Sequence, residues 1–173
     1  NNDLKKILCK KNYLIVSNHI SWIDIFVINS AYPVAFVAKQ SISKWPILSW
    51  LVKAAETIFI DRKRMTKIKK TSKEVENFLQ HKGSICIFPE GGVPEESVVL
   101  DRFKAGAFRL AINHKVPLVP MTFFDNKKRL SYTFFSGSPG KMRVQVHPSL
   151  STEHLSIEDT TEFSNEVYNI IKK

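Results

Sequence analysis

The sequence predicts an α/β domain with a mixed, largely parallel central sheet flanked by helices. Short apolar, β-branched runs alternate along the chain with longer segments whose apolar residues recur at helical spacing. That alternation is typical of strand–helix–strand units. The 173 residues are 43% apolar, and this is enough to bury a core without disulfide or metal staples. We therefore expect one domain over 1–173, with a division into two domains as the alternative.

In the first half of the chain, three short runs favour strands because they are rich in β-branched and aromatic side chains. They are residues 12–17 (NYLIVS), 35–39 (AFVAK) and 57–61 (TIFID). The segments between them, 22–32 and 44–56, are long enough for helices, and the second is apolar almost all round.

In the second half, apolar residues from Met65 to Leu79 recur at helical spacing opposite lysines, which predicts an amphipathic helix ended by Gly83. The run 84–88 (SICIF) predicts a strand that leads into the turn PEGG. The remaining predicted elements are a helix at 103–115, strands at 117–124, 130–135 and 142–147, and a helix at 157–173.

The charge favours an anionic partner. The chain has 26 Lys and Arg against 16 Asp and Glu, a net charge of +10, and residues 61–73 hold seven of the basic residues. Anionic lipid, phosphorylated substrates and nucleic acid fit this charge, with a solvated helix face as the alternative. Nucleic acid is not expected, because aromatic and basic residues do not interleave as in RNA-binding sheets. Cys9 and Cys86 are far apart, which argues against a disulfide scaffold or zinc site.

A histidine and an aspartate stand five residues apart in the apolar stretch VSNHISWIDIFV. Residues five apart on one helix differ by about 140° around its axis. His19 can therefore meet Asp24 only from in front of a helix that begins near Asp24, with Asn18 or Ser21 as its N-cap. Asp24 would then fix the imidazole tautomer and leave the other ring nitrogen free to act as a general base.

The group deprotonated by such a base is expected to be a substrate hydroxyl. The chain has no G-x-S-x-G motif, and both cysteines lie in apolar runs. A histidine that only caps a turn, with no chemical role, is the alternative.

Further polar residues follow predicted strands or begin a predicted helix. Arg62 ends FIDR, Glu90 lies in FPEGG, and Arg102 and Lys104 begin the helix at 103–115. Arginine and helix N-termini suit phosphate, and glycines let the backbone approach a ligand. Since parallel strands end at one edge of a sheet, a shared pocket with His19 is expected. Alone, each motif is equally consistent with a surface arginine or an ordinary turn.

Four blocks, NHISWID, FIDR, FPEGG and VPLVPM, occur in this order with FKAGAF between the last two. Over about residues 10 to 150 the chain resembles the glycerolipid acyltransferases, specifically the bacterial 1-acyl-sn-glycerol-3-phosphate (lysophosphatidic acid) acyltransferases. The resemblance implies that His19 is the general base and Asp24 its partner. It assigns binding of the phosphate and the acceptor to Arg62, Glu90, Gly91, Gly92, Arg102 and Lys104.

The resemblance implies a reaction of phospholipid biosynthesis. A fatty acyl group would pass from a thioester co-substrate, acyl-CoA or acyl carrier protein, to the free hydroxyl of lysophosphatidic acid, giving phosphatidic acid. No metal or other cofactor is expected. Trp22, Phe26, Trp45 and Trp50 are expected to contact the acyl chain or the membrane, with ordinary core as the alternative.

The expected location is the cytoplasmic face of the bacterial inner membrane, with peripheral attachment or an N-terminal anchor. No apolar run reaches the roughly 18 to 20 residues of a membrane span. The chain does not start with Met, so we expect any membrane-anchoring segment to be absent from it.

Two positions depart from the family pattern. Val93 stands where the family usually has an arginine, and Glu56 stands where it usually has a glycine. The acceptor could therefore instead be glycerol 3-phosphate, another lysophospholipid or a lyso-aminolipid. Two other classes of function stay open: a hydrolase that activates water with the same pair, and a non-enzymatic module that binds anionic lipid.

Overall fold

The structure, a computed structural model, describes residues 12–21, 23–44, 56–60, 65–92, 100–124, 129 and 137–172. The strands are β1 (Leu14–Ser17), β2 (Ala35–Lys39), β3 (Ile58–Ile60), β4 (Ile85–Ile87), β5 (Leu118–Phe123) and β6 (Val144–Val146). Within these ranges the α-helices are α1 (Asp24–Ala31), α2 (Met65–His81), α3 (Gly106–Asn113) and α4 (Thr160–Lys172). Short 3₁₀ helices cover Gln40–Lys44 and Ile157–Asp159.

The six strands form one sheet in the order β3-β2-β4-β1-β5-β6. All neighbours are parallel except β5 and β6, which are antiparallel. Every residue of β1 and of β5 is buried, as expected for parallel strands covered on both faces. The predicted α/β fold with a largely parallel sheet is confirmed.

Helices cover both faces of the sheet. On one face, α2, α3 and α4 pack against alternate residues of the central strands, among them Leu14, Val16, Ile85 and Leu118. On the other face, α1 packs through Ile28 against a cluster that includes Ile15, Phe36, Cys86, Val119 and Met121. None of the helices in the described ranges is long and apolar enough to cross a membrane.

The predicted elements that fall on described residues are present, and several of them are shorter than predicted. The helix predicted at 103–115 begins only at Gly106, and α2 ends at His81, two residues before Gly83 as predicted. The C-terminal helix starts with a 3₁₀ turn. The strand predicted at 130–135 and most of the helix predicted at 44–56 lie outside the described residues.

Pro120 lies inside β5, within the strand predicted at 117–124. It is tolerated because the β5–β6 pairing is irregular at this point. Leu118 bridges to Leu150 and Met121 pairs with Val146, so three residue steps on β5 face four on the other chain segment. This is a β-bulge, a position where a strand can accommodate a proline that donates no hydrogen bond.

Candidate active site

The predicted contact between His19 and Asp24 is present. The His19 Nδ1 atom lies 2.9 Å from Asp24 Oδ2, and Asp24 is the first residue of α1. The same carboxylate oxygen accepts hydrogen bonds from the backbone amides of Ile20 (2.8 Å) and Ser21 (3.0 Å). The loop is thus wrapped around one buried carboxylate, which fixes the plane and tautomer of the imidazole.

The backbone before His19 is held by β5. The Asn18 side chain donates to the Phe123 carbonyl (3.0 Å) and accepts from the Phe123 amide (2.8 Å). The Ser17 hydroxyl donates to the Met121 carbonyl (2.9 Å). The prediction that Asn18 caps a helix is therefore wrong, because its amide instead continues the pairing of β1 with β5 past the end of the strand.

Helix α1 has no side-chain cap at its N-terminus, since its N-cap residue is Ile23. The Ser21 hydroxyl accepts a long contact of 3.5 Å from the Ile23 amide. The amides of Ile20 and Ser21 already donate to Asp24. These two amides are thus not free to stabilise an oxyanion at the start of the helix.

Glu90 holds the backbone of His19 from the other side. It follows β4, the strand beside β1, and its Oε1 atom accepts from the His19 amide at 2.9 Å. Glu90 is 2% exposed, and its Oε2 atom has no hydrogen-bond partner among the described residues. Burial raises its pKa to about 7, and the nearby charges of Asp101 and Asp24 act in the same direction. The amides of His19 and Asp101 oppose the shift.

The imidazole is supported by an aromatic ring. His19 stacks on Phe88 with the ring centroids 4.1 Å apart and the planes 14° from parallel. Phe88 in turn faces Phe36. His19 is only 8% exposed, and within the described part of the chain its Nε2 atom has no hydrogen-bond partner. A buried ring with one nitrogen fixed and the other unpaired is arranged to accept a proton.

No protein nucleophile lies ready beside His19 in the described ranges. The Ser17 hydroxyl is fully buried and committed to Met121, and Ser21 is fully buried. Burial, reinforced by the charge of Asp24, raises the pKa of the Cys86 thiol, which therefore stays protonated. No group of three or more His, Cys, Asp or Glu side chains that could hold a metal ion occurs among the residues the structure describes.

The other predicted site residues are distributed unevenly. Gly91 has a positive φ of 85° and completes the turn after Glu90, and Gly92 is exposed. Arg102 and Lys104 are exposed and line a groove against α4, and neither His19 nor Glu90 is among the described residues that line it. The predicted phosphate contact Arg62 and the position Val93 lie outside the described residues.

Of the four aromatic residues predicted to contact the acyl chain or the membrane, only Phe26 is described. It is 45% exposed on α1, two residues after Asp24, so it is not ordinary core. Trp22, Trp45 and Trp50 lie outside the described residues.

Glu56 has the backbone conformation that glycine adopts most easily. Its φ is +46°, in the left-handed region that costs a residue with a side chain about 1 kcal/mol or more. This gives a physical reason for the glycine that the resembled family usually has here. The fold keeps the turn although the residue differs.

Residues 2–123 match the model of a protein family described as Acyltransferase. The chain belongs to the acyltransferase family. The predicted resemblance to glycerolipid acyltransferases is thereby confirmed.

Named relatives agree with this assignment. A 1-acyl-sn-glycerol-3-phosphate acyltransferase of Saccharomyces cerevisiae is 34% identical over 165 residues, covering 92% of this chain and 54% of the relative. A lyso-ornithine lipid O-acyltransferase of Brucella abortus is 34% identical over 98 residues, covering 57% of this chain and 36% of the relative. The matched part of this acyltransferase chain thus covers about half the length of the yeast relative and about a third of the length of the Brucella relative.

A solved structure shares the fold. The crystal structure of the 1-acyl-sn-glycerophosphate (LPA) acyltransferase from Thermotoga maritima matches with a TM-score of 0.76 and 22% sequence identity. The match covers 94% of this chain and 64% of that chain. At this identity the likeness concerns the fold.

Proposed function

We propose that the chain transfers a fatty acyl group from an acyl thioester to the free hydroxyl of lysophosphatidic acid, giving phosphatidic acid. The observation that carries the proposal is the imidazole of His19, fixed through Nδ1 on buried Asp24 with Nε2 unpaired in the described structure. Family membership and the yeast relative's name support the choice of reaction and acceptor.

The proposed chemistry needs one base and no protein nucleophile. His19 Nε2 takes the proton of the acceptor hydroxyl as its oxygen attacks the thioester carbonyl carbon. The carbon–sulfur bond then breaks, and the thiolate leaves with the proton that the imidazolium returns. Asp24 stabilises the imidazolium while it exists, and Glu90 keeps the His19 backbone in place through the attack.

The relatives are named for different acceptors, so the acceptor is the part of the proposal on which they disagree. A lyso-ornithine lipid is a second candidate acceptor, since the Brucella relative is named for that substrate. Both acceptors present a free hydroxyl on a lipid, so the same base serves either reaction. The thioester donor is acyl-CoA or acyl carrier protein in both cases.

Lipid mass spectrometry tests the proposal. The protein is incubated with an acyl-CoA or acyl carrier protein donor and, separately, lysophosphatidic acid, glycerol 3-phosphate, lysophosphatidylethanolamine or lyso-ornithine lipid. We expect phosphatidic acid as the main product and no product with His19→Ala. Free fatty acid formed equally well without acceptor would identify a hydrolase instead, and the absence of any turnover would favour a lipid-binding module.

We also propose that the enzyme works at a membrane, at the cytoplasmic face of the bacterial inner membrane. Support comes from Phe26, which is exposed on the apolar helix α1 close to Asp24, and from the net charge of +10. Phe26→Asp should weaken sedimentation with anionic vesicles, while Phe124→Asp, at a similarly exposed phenylalanine that directly follows β5, serves as control. Equal binding by the two variants would contradict a membrane contact at α1.

A further inference from the structure

A groove of roughly 620 Å³ lies between the start of α3 and one face of α4. One wall is the segment 101–105, which presents the exposed side chains of Arg102 and Lys104. The other wall is formed by Thr160, Thr161, Ser164, Asn165 and Tyr168. The described lining thus combines cations with hydroxyl and amide groups and contains neither His19 nor Glu90.

Ser164 carries an unused hydroxyl in this groove. The residue is 9% exposed, and its Oγ atom has no hydrogen-bond partner among the described residues. A serine inside a helix usually donates to the carbonyl four residues earlier or to water. The hydroxyl lies in the lining of the groove, so it can donate to a ligand that supplies an acceptor oxygen.

The charge around the groove favours an anion. Arg102 and Lys104 face one acid, Asp101, whose carboxylate accepts from the neighbouring Arg102 amide (2.6 Å). A third cation is close, because Lys172 Nζ lies 5.9 Å from the ring centroid of Tyr168. The start of α3 adds partial positive charge, since its N-cap, Ala105, lines the groove without a side-chain cap and the first turn holds no acid.

The groove also has an apolar floor. Phe103 and Tyr168 meet edge to face with their ring centroids 5.1 Å apart, and both line the groove. Cations, hydroxyl donors and two aromatic rings together suit a phosphate ester of a larger organic group better than a free inorganic ion.

The groove is joined to the candidate active site through the backbone. The Lys104 amide donates to the Pro89 carbonyl at 3.0 Å, and the next residue, Glu90, holds the amide of His19. A ligand seated between α3 and α4 therefore rests on the loop that positions the base, while its phosphate contacts lie outside the His19–Glu90 cluster.

We propose that this groove binds the phosphate of the acyl donor's carrier, and the proposal rests on the acyl-transfer function proposed above. The acceptor's phosphate lies only a few bonds from the reacting hydroxyl, so it must bind close to His19. A donor thioester is separated from its phosphate by a long pantetheine arm, so its phosphate binds at a distance. The cations of the groove, Arg102 and Lys104, lie outside the His19–Glu90 cluster, and Asp101 is the described lining residue that acts on Glu90, so the groove fits the donor.

Direct binding of coenzyme A without an acyl group tests the groove independently of turnover. In isothermal titration calorimetry, Arg102→Ala combined with Lys104→Ala should raise the Kd by about tenfold or more, because two charge-assisted hydrogen bonds are lost. Ser164→Ala, which removes only the hydroxyl, should raise it about twofold to tenfold. The control is Lys82→Ala combined with Lys141→Ala, an exposed pair outside the groove, with an unchanged Kd.

A kinetic comparison distinguishes the donor from the acceptor. The ratio of kcat/KM for acyl-CoA to kcat/KM for the same acyl group on N-acetylcysteamine, which has no phosphate, should fall about tenfold or more in the Arg102/Lys104 double variant. An equal loss with acyl carrier protein as donor would assign the groove to the phosphopantetheine phosphate, and a loss with acyl-CoA alone to the nucleotide phosphates.

An unchanged ratio together with a raised KM for lysophosphatidic acid would overturn the proposal and assign the two cations to the acceptor. An unchanged Kd for coenzyme A would overturn it as well. If the protein transferred no acyl group at all, the proposed function would fail, and the coenzyme A titration would still decide the fate of the groove.

Discussion

His19 and His147 are each held by a hydrogen bond at one ring nitrogen, and the two hydrogen bonds have nearly equal lengths. His19 Nδ1 lies 2.9 Å from a carboxylate oxygen of Asp24, and His147 Nε2 lies 2.8 Å from the hydroxyl of Thr122. Thr122 also approaches the carbonyl of Ile171 at 3.4 Å. The second histidine therefore ties β5, β6 and α4 together, whereas the first lies beyond the end of β1.

The difference teaches that the partner's charge, more than the hydrogen bond itself, makes a histidine suitable as a base. A carboxylate stabilises an imidazolium that forms during a reaction, and a hydroxyl does so only weakly. Burial lowers the pKa of His147, which keeps that ring neutral at pH 7. His19 combines a charged partner with an unpaired second nitrogen in the described structure, and this is our ground for proposing it as the base.

Replacing each histidine by glutamine is the strongest test of this comparison. We expect His19→Gln to lower kcat/KM for acyl transfer by about 10² to 10⁴, the range typical of a general base. His147→Gln should leave kcat/KM within about twofold, because it only removes a contact between strands. The assay follows thiol release from acyl-CoA with lysophosphatidic acid. An inactive but folded His147→Gln variant would break the comparison.

The hydrogen-bond partners of the two histidines, Asp24 and Thr122, can be compared in the same way. Asp24→Asn keeps the shape but removes the charge and permits the wrong imidazole tautomer, so kcat should fall about 10²-fold or more with little change in KM. Thr122→Val should leave kcat unchanged and cost about 1 kcal/mol of stability for the lost hydrogen bonds. Steady-state kinetics and urea unfolding measure the two effects. A selective rise in KM for Asp24→Asn would indicate a binding role instead.

Two substitutions of Glu90 distinguish its role in positioning the His19 backbone from any role of its negative charge. Glu90→Ala removes the acceptor for the His19 amide, and a shift of the loop by about 1 Å should cost about 10² in kcat. Glu90→Gln keeps an acceptor oxygen for that amide, so most of the activity should survive. Equal losses in the two variants would mean that the charge of Glu90, rather than its hydrogen bond to His19, is what catalysis needs.

The last comparison concerns the pH dependence of stability, where Glu90 and His147 act with opposite sign. Since Glu90 titrates at about 7 in the fold against 4.5 ordinarily, the free energy of unfolding should fall across this window as pH rises, by about 3 kcal/mol. The lowered pKa of His147 means that the unfolded state is protonated first, so stability should fall on acidification below about 6.5.

Urea unfolding at pH 5, 6, 7 and 8 measures both trends. Glu90→Gln should lose the decline toward pH 8, and His147→Gln should lose part of the decline toward pH 5. A wild-type slope that persists in Glu90→Gln would show that another group carries it.

Much of the local structure could be predicted from sequence, because helix and strand periodicity depends on neighbouring residues. The contact of His19 with Asp24 was predictable for the same reason, since the two are five residues apart. Two other contacts were not predictable: the hydrogen bond from the His19 amide to Glu90, and the hydrogen bonds between Asn18 and Phe123. Both depend on which strands become neighbours in the sheet. The bulge that accommodates Pro120 was not predictable either, because a bulge is a property of two strands.

The two hydrogen bonds between Asn18 and Phe123 have a consequence for biosynthesis. The two residues are 105 positions apart in the chain. At translation rates of about 5 to 20 residues per second, the ribosome needs about 5 to 20 s to add the intervening residues. During that interval the His19 loop already has its local aspartate but lacks its anchor on β5. The nascent protein therefore contains His19 and Asp24 well before Phe123 is available to fix the backbone in front of His19.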